Sequence, residues 1–67
     1  MNRLYGYMIP ELKEFMAFRT EKECEAYLIL WHLTESEVDI LIESGVYQHD
    51  NLGLIIYYSF EPNFFKC

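Results

Sequence analysis

From Glu23 to Phe65 the chain contains no lysine or arginine. Those side chains neutralise phosphates, and nucleic-acid binding draws much of its strength from them. With 5 basic residues against 11 acidic ones the formal charge is −6, which also opposes anionic membrane surfaces. Direct contact with nucleic acid or with a membrane is therefore not expected. Cysteine is scarce. Cys24 and Cys67 make no disulfide framework. Cys24 falls in an expected helix and reads as a small buried hydrophobe. Cys67 reads as a free thiol, and it does not match a prenylation box, which needs three further residues. Long apolar runs are missing too: "AYLILWHL" is too short to span a bilayer. "MNRLYGYMIPE" does not join a basic head to a long apolar stretch, so no secretory signal is visible and a cytoplasmic chain is expected.

Catalytic and cofactor motifs are absent as well. The sequence holds no Gly-rich phosphate loop, no Ser-His-Asp order and no paired carboxylates flanking an obvious pocket. An enzyme is not expected, and no cofactor is implied. Cys24, His32, His49, Asp50 and Cys67 are the residues that could ligate a metal, but none has the usual zinc spacing. His49-Asp50 reads as turn chemistry. His32 lies seven residues after Glu25 and reads as one half of a surface pair.

What the chain has in excess is apolar material. Hydrophobic residues make up 52% of 67 positions and aromatics 18%. A chain of about 60 residues buries only about 60% of the surface it exposes when unfolded, and such scaffolds usually need support from oligomerisation, a metal or disulfides. At this length one domain, residues 1–67, is expected. Part of its Tyr, Phe, Leu and Ile content should remain exposed or be covered by another chain.

No internal repeat, low-complexity segment or linker interrupts the chain. "RLYGYMI" (3–9) is rich in aromatic and branched residues and predicts a strand. Pro10 suits the first position of a helix. "PELKEFMAF" places Leu12, Phe15 and Met16 at i, i+3, i+4, which predicts a short helix over 10–18, with a strand through "EFMAFRT" as the alternative. "TEKE" (20–23) and "TESE" (34–37) both match the Thr-x-x-Glu capping box. Helices at 21–33 and 35–45 follow, with Gly45 as the left-handed stop. "HDNLG" (49–53) has turn chemistry. "LGLIIYYSF" predicts a strand over 52–60 that is apolar on both faces, to be covered on both sides or by a partner on one. The expected fold is α+β, with a two-stranded antiparallel sheet (3–9 and 52–60) packed with two or three short helices.

Two surfaces stand out. Helix 21–33 is apolar nearly all round: Cys24, Tyr27, Leu28 and Trp31 form one stripe, and Ala26, Leu30 and Leu33 a second. Either the helix is central, or Leu30 and Leu33 meet another molecule. On helix 35–45, Glu35, Asp39 and Glu43 fall at i, i+4, i+8, with neighbours about 5–6 Å apart. Val38, Leu41 and Ile42 pack inward, Ile40 points away, and Glu37 lies on a flank.

A solvated face is one reading of this ridge. The other is a docking surface for a basic region of a larger protein, such as one that normally holds nucleic acid. Glu35, Glu37, Asp39 and Glu43 would steer, Asp50 would extend the field, and Ile40, Tyr57, Tyr58, Phe64 and Phe65 would anchor. In size and composition alone the chain resembles the small acidic nucleic-acid mimics that bacterial viruses use against host nucleases. Two alternatives remain: a self-associating structural or adaptor subunit, such as a homodimer, and a winged-helix regulator. In the regulator the acidic second helix would repel DNA.

Overall fold

The structure is a computed structural model that describes residues 3–61. Its elements in chain order are β1 (Leu4–Ile9), a 3-10 turn (Pro10–Leu12), β2 (Glu14–Phe18), α1 (Glu21–Trp31), α2 (Glu35–Ser44), β3 (Val46–His49) and β4 (Gly53–Phe60). The class is α+β, as expected. The sheet has four strands rather than two, all antiparallel, in the order β2-β1-β4-β3. Two α-helices form the second layer, with α1 over β1 and β2 and α2 over β3 and β4.

The expected pairing of the first and last strands is present at the centre of the sheet, with Tyr7 opposite Tyr57. The expected helix over 10–18 is not. Pro10 opens only a single 3-10 turn, which Lys13 closes in the left-handed region at φ 54°, donating its N–H to the Pro10 carbonyl at 3.0 Å. That reversal lays Glu14–Phe18 back along β1, from Tyr5 opposite Phe18 to Ile9 opposite Glu14. Five cross-strand positions outweigh the weak helical preference of "EFMAF", which carries no β-branched residue. The strand β3 was not anticipated. Its hairpin to β4 is closed by His49, whose Nδ1 accepts from the N–H groups of Asn51 and Leu52 at 3.0 and 3.1 Å.

Both helices begin where the Thr residues indicate. The Thr34 hydroxyl accepts from the Glu37 N–H at 3.3 Å, and Glu37 accepts from the Thr34 N–H at 2.9 Å, a complete capping box. Thr20 accepts from the Glu23 N–H at 3.1 Å without the reciprocal contact. Gly45, at φ 87°, stops α2 in the left-handed region that side chains avoid.

The core lies between the layers. Tyr7, Ile9 and Ile55 from the sheet meet Cys24 and Leu28 from α1 and Val38 and Leu41 from α2, and Leu33 closes it at the turn between the helices. Burial pushes the Cys24 thiol up to about 11, with Glu25 and Glu21 adding to the shift. Cys24 therefore packs as a hydrophobe. The two stripes of α1 are each split. Leu33 is 5% exposed and belongs to the core, as a central helix requires, and only Leu30 of the alternative partner contact stays open. Trp31, grouped with Cys24, Tyr27 and Leu28, departs from them at 62% exposed, its ring 6.2 Å from Tyr27. Helix α1 ends at Trp31, so the stripe runs out before the tryptophan can turn under the helix.

Candidate functional site

Helix α2 sets out the carboxylates that the sequence singles out. The inward side carries Val38 and Leu41, and Glu35, Asp39, Ile40 and Glu43 are all exposed on the opposite side. Among the described residues the ion pairs are Arg3 with Glu61 and His32 with Glu14, so no cation partners the ridge. Glu43 sits in the last turn of α2, which holds no basic residue. The negative end of the helix dipole disfavours a carboxylate there by about 0.3–1 kcal/mol.

The other residues assigned to the site are scattered. Glu37 is engaged by the fold: besides its cap it accepts from the Tyr47 hydroxyl at 3.3 Å. The Thr34 N–H, aided by Tyr47, holds its carboxyl below the usual carboxylate range. Asp50 is exposed at the β3–β4 turn, away from the ridge in the chain's path. Tyr57, expected as an anchor, instead faces the helices and donates its hydroxyl to Glu21 at 3.0 Å. Tyr58 points to the other side of the sheet. Its ring crosses β1 above Gly6 and its hydroxyl donates to the Met16 carbonyl on β2 at 2.8 Å. A Cβ at position 6 would collide with that ring and that carbonyl. Phe64 and Phe65 lie outside the described residues. The structure thus brings together Glu35, Asp39, Ile40 and Glu43, and separates the two tyrosines.

Two features escaped the sequence reading. One is a Tyr–Glu–His cluster between the layers. The Tyr7 hydroxyl donates to Glu14 Oε2, and the same oxygen lies 3.1 Å from His32 Nε2. The Tyr7 hydrogen bond, helped by His32, holds the Glu14 carboxyl below the usual range, although burial opposes this. Burial, followed by the Glu14 contact, raises the Tyr7 hydroxyl far above its ordinary value. Tyr7 is fully buried and cannot meet a ligand, so the cluster ties β1, β2 and the end of α1 together. His32 pairs here and not with Glu25.

The tip of α1 was offered by the sequence through Leu30, which is 72% exposed beside Trp31. The second feature is the outer face of the sheet, which neither helix covers. Register places Phe15, Met8, Ile56 and Val46 side by side in one row across all four strands. The alternation of residues 52–60 carried part of this signal. It could not show which side the helices would take, because both sides are apolar.

Among the described residues no group of three or more His, Cys, Asp or Glu side chains could hold a metal ion, and no helix is long and apolar enough to cross a membrane. The β3–β4 hairpin after α2 forms one half of the four-stranded sheet. Compared with protein-family models, with curated proteins and with solved structures, the chain matches none of them.

Proposed function

We propose that this chain is a small acidic binding protein that inhibits or modulates a larger protein by occupying a basic surface, one of the kind that holds nucleic acid. The observation that carries this reading is the row Glu35, Asp39 and Glu43, exposed on α2 with Ile40 beside it and with no cation paired to it among the described residues. Like charges at i, i+4 cost a helix about 0.2–0.5 kcal/mol per pair. Glu43 adds an unfavourable dipole contact, so folding gains nothing from the arrangement. A partner's lysines and arginines would gain from it. Carboxylates accept bidentate arginine contacts, and a concentrated field of one sign raises association rates. Ile40 supplies apolar contact within the ridge. Leu30 and Trp31 extend it over the same helix layer, as aromatic and aliphatic anchors do at interface centres.

The test begins with capture of the partner from the native host at low salt. The purified pair is then titrated against Asp39→Lys/Glu43→Lys. The double reversal should weaken binding by about 10–100-fold and flatten its salt dependence, with the far-UV spectrum unchanged. An affinity that stays the same in this variant would remove electrostatic docking as the mode of action.

A further inference from the structure

We infer that the outer face of the sheet is a self-association surface whose occupant is a second copy of this chain, packed sheet against sheet. This inference stands apart from the proposed function, because it concerns the opposite side of the molecule. The row Phe15, Met8, Ile56 and Val46 is continued by Leu54 and Phe60 on β4. Phe15 is 61% exposed, and Val46, Leu54 and Phe60 are each more than a third exposed. An antiparallel sheet ordinarily turns a polar face to water when its other face packs on a core. Here both faces are apolar, and Gln48 is the only strongly polar side chain that register places on the outer one.

Charge selects the occupant. In a chain of net charge −6, no strand residue on this face is ionisable except Tyr58, whose hydroxyl is already bonded to Met16. A basic partner finds nothing here to pair with. Two copies of an acidic chain can meet on this face without burying a carboxylate, as they cannot on α2. The dimensions agree. Four strands about 4.8 Å apart and about six residues long give a flat footprint of about 400 Å² per copy. Side-chain relief raises that toward the lower end of specific interfaces, about 600 Å² per partner. Sheets stacked about 10 Å apart with strands within about 30° of each other would bring the apolar rows of both copies together.

Sedimentation of the full chain from about 1 to about 100 µM should reveal a particle of twice 8.1 kDa. Phe15→Lys and Val46→Lys, at opposite edges of the face, should each weaken the dimer by about tenfold or more, while Leu30→Lys on the helix layer leaves it intact. On the unaltered chain, contacts between isotopically labelled and unlabelled copies should run from the Met8 and Ile56 methyl groups to the rings of Phe15 and Phe60. This measurement decides the matter even where a lysine variant fails to fold. A wild-type chain that stays monomeric throughout overturns the inference. If that monomer excludes a hydrophobic dye, the chain covers its own face; if it takes the dye, the face is left for an unlike protein. A dimer whose intermolecular contacts fall on the helices overturns it equally.

Discussion

Tyr47 and Tyr57 reach from the sheet to helix glutamates, Glu37 and Glu21, and Tyr7 donates to Glu14 on β2, which meets the end of α1 through His32. The acidic surplus is thus partly internal, consumed in tying the layers together. The Glu14 contact is the least exposed of these and the only one that also holds a histidine. Hydrogen bonds to charged groups contribute about 1.5–3 kcal/mol. With the Glu14 side chain about a quarter exposed, Glu14→Gln should cost about 1–2 kcal/mol near neutral pH. The sign of its pH dependence follows from the lowered carboxyl. Its stabilising effect is fully present above the ordinary carboxyl pKa and is lost as pH falls through the lowered one. Urea unfolding of wild type and Glu14→Gln should therefore converge as the solution is acidified from neutrality, below the ordinary carboxyl range and through the lowered one. A gap that persists in acid would show that shape, not charge, holds the cluster.

At the scale of elements, α2 illustrates what a sequence makes legible. Its cap at Thr34, its stop at Gly45 and its split into inward Val38 and Leu41 and outward Asp39 and Glu43 all follow from spacing within a few residues. They appear where that spacing puts them. Strand β2 illustrates the converse. Leu12, Phe15 and Met16 have helical spacing. The strand exists because a left-handed Lys13 turns the chain and β1 offers five pairing positions, neither of which is encoded within the segment. The sidedness of β4 was hidden for another reason. Ile55 and Tyr57 on one face and Ile56 and Tyr58 on the other are chemically alike, and only the position of the helices separates core from surface. The ridge was therefore readable, whereas the open sheet face was not. Helix α2 also permits a direct measurement of what the ridge costs. Glu43→Lys removes the repulsion with Asp39, creates a favourable i, i+4 pair and places a cation at the negative end of the dipole. It should raise stability by about 0.5–1.5 kcal/mol. Thermal or urea unfolding reads this directly. A loss of stability would mean that Glu43 has a folding role, and would weaken the argument that the row is kept for a partner.

For the whole molecule the governing quantity is unbalanced charge. Most surfaces intersperse both signs, so added salt screens as much attraction as repulsion. Here Arg3 with Glu61 is the one lysine or arginine ion pair among the described residues, and the exposed carboxylates on α2 have no counterpart. Self-repulsion at a net charge of −6 works against the compact state. Its range contracts from about 30 Å at 0.01 M salt to about 10 Å at 0.1 M. The melting temperature should therefore rise with sodium chloride, by about 2–5 °C over that interval, given that about 1 kcal/mol shifts a domain of this size by about 4–8 °C. The same titration on Asp39→Lys/Glu43→Lys separates this effect from any general action of salt. Each reversal adds two charge units, so −6 becomes −2, and the rise should shrink to a fraction of its wild-type size. Repeating both curves at two protein concentrations distinguishes screening within one copy from closer approach of two copies, because only the second depends on concentration. A wild-type melting temperature that falls with salt would show that attraction between charges outweighs repulsion in the folded chain. The exposed carboxylates of α2 would then be partnered within the molecule rather than held ready for another.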